Sequence, residues 1–206
     1  MNKIITISRE FGSGGREIGK RLADELGFAY YDSEIIKRLA NETGLSEQYI
    51  KNISEKGVYP YPFQFGKTFS TFNTLQSNQN EILIAQQKII KEIAKKGNCI
   101  IVGRGADVIL REYNTMNLFV YASLEAKINR CKKKASKDEH LSEKELEQKI
   151  KKVDKNRKTY YDLLSNQSWG NKENYSLCLN TTKLEIKSII KPLANYIEKW
   201  FKESAK

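Results

Sequence analysis

The chain has 206 residues, with 36 Lys and Arg against 25 Asp and Glu for a net charge of +11; 39% of it is apolar and 30% charged. That length suits one domain with its own core, and the composition excludes collagen-like, low-complexity and Pro/Gly-rich disordered classes. No apolar run approaches the ~18 residues that span a bilayer, and Met1-Asn2-Lys3-Ile4-Ile5-Thr6 carries no signal-peptide core, so a cytoplasmic protein without a membrane role is expected.

Ile4-Ile5-Thr6-Ile7-Ser8 is a β-branched run and predicts a buried strand. Gly12-Ser13-Gly14-Gly15 predicts a turn. A helix is expected from about Arg16, with Ile18, Leu22 and Leu26 on one face and Gly27 past its end. Ala29-Tyr30-Tyr31 reads as a short second strand, and Asp32 or Ser33 as the cap of a helix carrying Ile35, Ile36 and Leu39. Residues 46–54 suit a short helix. Residues 57–73, with Tyr59-Pro60-Tyr61-Pro62-Phe63, predict an irregular aromatic loop. A long helix is expected over about 74–96, a third strand over 98–103, a helix through 108–110 and a fourth strand over 117–121. Residues 124–164 predict charged helices broken near Ser136-Lys137-Asp138, followed by a fifth strand over 175–180 and a closing helix over 183–201. Strand–helix alternation of this kind implies a parallel sheet with helices on both faces, here in a single domain, 1–206.

The charge is uneven: residues 127–158 hold 13 Lys/Arg against 6 Asp/Glu. A basic balance favours anionic partners, such as nucleotide phosphates or nucleic acid. Cys99, Cys131 and Cys178 form neither a disulfide framework nor a zinc motif, and the single histidine, His140, argues against Ser-His-Asp chemistry and His-rich metal sites. The strand–glycine turn–helix over residues 4–23 is a phosphate cradle in outline: it turns backbone N–H groups inward at a helix N-terminus. It is not a standard G-x-x-x-x-G-K-[ST] loop. With Gly14 as the second glycine, Arg9 replaces the first glycine, Gly15 the lysine and Arg16 the Ser/Thr. Arg16 is the natural substitute for the lysine charge, because the helix dipole disfavours a cation there unless an anion is bound. Arg9 also reaches phosphate distance from the strand end.

Read together, Ile7-Ser8-Arg9-Glu10-Phe11-Gly12-Ser13-Gly14-Gly15-Arg16-Glu17-Ile18-Gly19, Tyr30-Tyr31-Asp32-Ser33, Ile101-Val102-Gly103-Arg104-Gly105-Ala106-Asp107, Asp154-Lys155-Asn156-Arg157 with Tyr160-Tyr161, and Trp169-Gly170 with Tyr175 resemble the cytidylate kinase-like family, relatives of the P-loop nucleoside monophosphate kinases. The resemblance implies a three-layer α/β fold of the P-loop NTPase type: a five-stranded parallel sheet, helices on both faces and a mobile helical lid over about 127–165. It implies ATP-dependent phosphoryl transfer to a nucleoside monophosphate, CMP or dCMP giving CDP or dCDP, with Mg2+ accompanying ATP and no protein side chain assigned to the metal. ATP phosphates would lie at Arg9, Gly12, Ser13, Gly14, Gly15, Arg16 and Glu17. The acceptor would meet Asp32, Ser33, Arg38, Arg104, Asp107, Asp154 and Arg157. Lys127 and Arg130 would open the lid, and Arg16, Arg130 and Arg157 would serve catalysis. Gly105 replaces the aspartate of the family's G-R-D, and Gln79 and Asn80 stand where an arginine is expected. Alternatives therefore stay open: another small acceptor, or a nucleotide-binding regulator with little turnover. Nucleic-acid binding ranks last, because the basic segment lacks interleaved aromatics before Tyr160-Tyr161.

Overall fold

A computed structural model describes residues 2–50, 69–135 and 141–204, with side chains from residue 80 onward in the second span. In chain order the elements are β1 (Ile4–Arg9), α1 (Gly15–Leu26), β2 (Ala29–Tyr31), α2 (Ser33–Thr43), α3 (Phe69–Lys96), β3 (Cys99–Val102), α4 (Ala106–Ile109), β4 (Thr115–Tyr121), α5 (Leu124–Lys134), α6 (Glu143–Leu164), β5 (Leu177–Asn180) and α7 (Ile190–Glu203). The strands form one parallel sheet in the order β2-β3-β1-β4-β5. β1 is central, with Ile7 level with Val102 on one side and Leu118 on the other. Every strand therefore ends at the same edge, where an open parallel sheet binds ligands.

Successive side chains of a strand point to opposite faces, so each face receives its own core. On one face Ile5, Ile7, Val102 and Leu118 pack against Ile18 and Leu22 of α1 and Leu193 and Ile197 of α7. On the other, Ile4, Cys99 and Ile101 pack against Ile35 and Leu39 of α2 and Ile89 and Ile93 of α3. A small third cluster, Ile128, Leu146 and Ile150 with Phe11, joins α5 and α6 to the loop after β1.

The expected strands and their parallel sheet are present. The long helix begins earlier than its pattern suggested, so residues 69–73 of the expected loop are helical; no Gly or Pro interrupts Phe69-Ser70-Thr71-Phe72-Asn73, and nothing there ends a helix. Residues 57–68 of that loop, 51–54 of the expected short helix and 136–138 of the expected break lie outside the described residues, while 47–50 are helical. Ser142 starts α6 through a capping box with Glu145. Asp32 occupies the N-cap position of α2 but does not cap with its side chain; its carboxylate turns to Arg16 instead. Tyr175 lies just outside β5, buried beside Phe119. Among the described residues no helix is long and apolar enough to cross a membrane.

Candidate active site

Where β1 ends, the chain turns through Gly12 (φ 76°) and Gly14 (φ 89°) into α1. Both angles lie in the left-handed region that side chains disfavour. A Cβ on Gly12 would also stand 3.0 Å from Lys127 O and Cys131 Sγ. The first amides of α1 have no intrahelical partner, which makes this helix end an anion site in kind.

The loop is fastened from outside. Ser13 is fully buried and donates from Oγ to Glu10 O at 2.8 Å. Thr181 Oγ1 donates to Ser13 O at 2.7 Å. Arg130 donates to Gly12 O (2.7 Å) and Thr181 O (3.0 Å). Asp154 accepts the Phe11 N–H at 2.6 Å, and the buried Lys127 ammonium lies between Asp154 (2.8 Å) and Glu10 (3.1 Å). A loop held at four successive residues is preorganised for a ligand, so little ordering remains at the moment of binding.

Two cavities flank this loop. One, of about 540 Å³, lies between α5 and the segment after β5; Asn129, Arg130, Lys133, Thr182 and Lys187 line it, with Glu17. The other, of about 280 Å³, opens at the ends of β1, β2 and β3. Arg9, Arg16, Arg104 and Arg157 line it with Asp32 and Ser33, and Tyr160, Tyr161 and Trp169 form an aromatic wall. Four guanidiniums against one carboxylate leave this cavity strongly positive. Burial pushes the Arg9 pKa well below its ordinary value; the Arg157 charge adds to this, Asp32 opposes it, and Arg104 and Arg16 push further down. A guanidinium does not give up its proton in a protein, so that pressure is a demand for an anion.

Each arginine is placed by a specific contact. Arg16 Nε meets Asp32 Oδ2 at 2.6 Å. Arg157 donates to Arg9 O at 2.8 Å and lies 5.9 Å from the Phe11 ring centroid. Arg104 sits between Gly103 (φ 75°) and Gly105 (φ 60°) with φ 63°, and is the one non-glycine with positive φ among the described residues. The buried Gln86 holds this turn by donating to Arg104 O at 3.0 Å. A strained arginine aimed into an anion-demanding cavity is a trade of stability for binding. Arg104→Gly is therefore expected to raise stability by about 1 kcal/mol through relief of the left-handed strain, and to weaken binding of a phosphorylated acceptor at least about tenfold. Thermal melts and acceptor titrations on one preparation check the opposite signs.

Of the expected residues, Arg9, Arg16, Asp32, Ser33, Arg104 and Arg157 converge on the second cavity. Others do not join them. Arg38 pairs with Glu34 at 2.8 Å beside the Tyr31 ring, off the cavity lining. Asp107 is buried rather than lining the cavity; burial raises its pKa, opposed by hydrogen bonds that include Tyr161 and Ser8. Asp154 holds the loop after β1 through the Phe11 N–H. Arg130 belongs to the first cavity, apart from Arg16 and Arg157. Glu17 is held by Lys134 and Arg21. The aromatic wall and the segment 182–187 were not foreseen as site residues. Their signal was position: 182–187 directly follows the end of β5, at the binding edge of the sheet.

Among the described residues no group of His, Cys, Asp or Glu is suited to hold a metal. The acids beside the loop, Glu10 and Glu17, are paired with Lys127 and Lys134, and the loop offers arginine where a standard one offers a Ser/Thr to magnesium. These side chains do not fit a protein-held Mg2+.

A glycine loop at the end of the central strand, between two cavities, on a parallel sheet of order β2-β3-β1-β4-β5 with helices on both faces, makes a three-layer α/β fold. Residues 4–183 match the cytidylate kinase-like family, and the chain belongs to it. A cytidylate kinase of Saccharolobus islandicus (strain L.S.2.15 / Lassen #1) is 24% identical over 199 residues, covering 94% of this chain and 90% of that one. Among solved structures, an uncharacterized protein from Eubacterium ventriosum superposes with a TM-score of 0.70 at 25% identity, covering 97% of this chain and 99% of the other. A shikimate kinase from Bacteroides thetaiotaomicron superposes with a TM-score of 0.58 at 15% identity over 96% of this chain and 99% of its own, a likeness of fold alone.

Proposed function

We propose that this protein is a cytoplasmic enzyme that transfers the γ-phosphoryl group of ATP to a nucleoside monophosphate, CMP or dCMP, giving CDP or dCDP. The observation that carries this reading is the pair of cavities on one phosphate loop, one of them lined by four arginines with Asp32 and Ser33. Phosphoryl transfer asks the protein to hold two polyanions in line and to neutralise the equatorial oxygens. Planar guanidiniums suit that task, since each can bond two phosphate oxygens. ATP takes the larger cavity, with its phosphates on the loop from Gly12 to Glu17. The monophosphate takes the smaller one, with its phosphate among Arg16, Arg104 and Arg157 and its sugar hydroxyls toward Asp32 and Ser33. The helical pair over 127–165 acts as a lid that closes over both ligands and excludes water. Mg2+ would accompany ATP and supply charge neutralisation there, with no side chain of the described residues assigned to hold it. The partners are these two nucleotides, without membrane or nucleic acid.

The test is a product assay with Mg-ATP and a panel of ribo- and deoxynucleoside monophosphates, followed chromatographically. Selective CDP or dCDP formation is the expected result. A protein that binds ATP yet yields no diphosphate overturns the reading. One observation favours a second acceptor class. Arg16 already engages Asp32, and Gly105 replaces the acid of G-R-D, which leaves fewer groups for a cytosine ring. A smaller phosphorylated or carboxylated alcohol is the second candidate, and hydroxy-acid and sugar acceptors belong in the same panel.

A further inference from the structure

We infer that Arg9 supplies the phosphate-binding cation that a standard loop takes from its lysine, and that Gly15 provides the space this exchange requires. The inference rests on the kinase reading above and assigns the charge within that site.

Gly15 stands at the lysine position, and its φ is not positive, so its backbone accepts any residue. Arg9 is what excludes a side chain there. A Cβ at position 15 would stand 2.6 Å from Arg9 Cβ, 3.1 Å from Arg9 Cγ and 3.3 Å from Val120 Cβ. Real Cβ atoms do not approach to 2.6 Å, the other two contacts are tight, and the obstructing atoms are the rigid root of a β1 side chain and a core residue of β4, not a flexible tip. Side chains leaving positions 9 and 15 would start from nearly the same point, so only one can be present. A standard loop has glycine first and lysine later. Here the two have changed places, and the cation enters the same space from the other side.

The far end of Arg9 is placed as closely as its root. A Cβ on Gly103 would stand 2.7 Å from Arg9 Cζ and would overlap Nη1, so the guanidinium lies on bare backbone at the end of β3. The Arg9 carbonyl is fixed by Arg157, and its side chain lines the acceptor cavity. Arg16, the nearer substitute by sequence, is 68% exposed in its side chain and held on the acceptor side by Asp32. Arg9 is thus rooted at the end of β1, against the Gly15 position of the donor loop, and reaches the acceptor cavity, along the path of the transferred group. In the step, an acceptor phosphate oxygen bonds to the γ-phosphorus while the bond from that phosphorus to the β–γ bridging oxygen breaks. ADP leaves with the electron pair. The attacking oxygen is already anionic and no proton must be removed; Arg9 neutralises the equatorial oxygens.

Four variants test the exchange: Arg9→Met, which keeps apolar volume, Arg9→Gly, Gly15→Lys, and the double Arg9→Gly/Gly15→Lys. Melting temperature, ATP and ADP dissociation constants, and turnover are measured on each. Arg9→Met is expected to melt like the parent, to lose about 10²- to 10³-fold in turnover and to lose its preference for ATP over ADP. Gly15→Lys alone is expected to melt lower and bind ATP poorly. The double variant is expected to regain at least about tenfold in ATP affinity and turnover over Arg9→Gly, because it restores both room and charge. Arg9→Met with turnover and ATP preference within about threefold of the parent overturns the inference. So does a Gly15→Lys variant that folds and binds like the parent, or a double variant no better than Arg9→Gly. If the parent itself forms no diphosphate, the kinase reading fails. The ATP-over-ADP preference then decides the exchange alone: its loss in Arg9→Met supports it, and its retention overturns it.

Discussion

Replacing Arg157 with alanine is expected to lower turnover about 10²- to 10³-fold while the fold remains intact. Arg157 projects from α6 and reaches back to the end of β1, 148 residues away in sequence. Its side chain is 20% exposed and so largely withdrawn from water. It donates a 2.8 Å hydrogen bond to Arg9 O, lies 3.7 Å from Asp154 Oδ1 and 5.9 Å from the Phe11 ring centroid, and lines the second cavity. Alanine removes one of four positive charges from that cavity and unties the backbone of another. Loss in kcat beyond loss in acceptor affinity is the signature of a group that acts on the transition state. Arg157→Lys is expected to recover less than about a tenth of the lost rate, because an ammonium cannot serve a carbonyl and a phosphate with one plane. Steady-state kinetics with thermal melts check both variants. An alanine variant with turnover within about threefold of the parent would remove Arg157 from the active machinery.

Some of this site was legible in the sequence, for reasons that differ by residue. β1 and β3 read plainly because both faces are buried, and burial on both faces gives continuous β-branched runs. The glycine turn after β1 was legible because two of its positions need positive φ. Arg104 and Arg157 were found through motif position and do reach the cavity. Arg38 lies off the cavity lining because Glu34 stands one turn before it, and a local ion pair holds it on the helix surface. Asp154 turned to the phosphate loop because Lys127, 27 residues away, waits there. No pattern within α6 announces that partner. The assignment of the lysine charge to Arg16 followed from counting positions along the loop. The assignment to Arg9 proposed above rests instead on the direction in which a side chain leaves the backbone, which is set by packing between β1, β3 and β4 and is absent from sequence spacing.

Lys127→Met is expected to destabilise the protein by about 3–5 kcal/mol. At about 2–4 °C per kcal/mol for a chain of this size, the melting temperature should fall by about 6–20 °C. The Lys127 side chain is 8% exposed, against 26% for Glu10 and 15% for Asp154. Each carboxylate holds backbone as well: Glu10 accepts the Ala122 N–H and Asp154 the Phe11 N–H. Methionine fills a comparable volume but takes the ammonium from between Glu10 and Asp154; Asp154 keeps its longer, 3.7 Å pairing with Arg157, and Glu10 loses its Lys127 partner. The cost comes from that uncompensated charge rather than from the lost pair itself, which fixes how the effect can be reversed. Lys127→Met/Asp154→Asn removes one negative charge while Asn can still accept the Phe11 N–H, and it is expected to recover a substantial part of the loss. Denaturant melts of the parent, both single variants and the double variant close the cycle. A loss below about 1 kcal/mol for Lys127→Met would place this cluster with exposed ion pairs. Because the cluster joins the phosphate loop to both α5 and α6, the single variant should also bind ATP more weakly than its remaining folded fraction explains. ATP affinity that simply tracked the folded fraction would mean that Arg130 and Thr181 hold the loop without it.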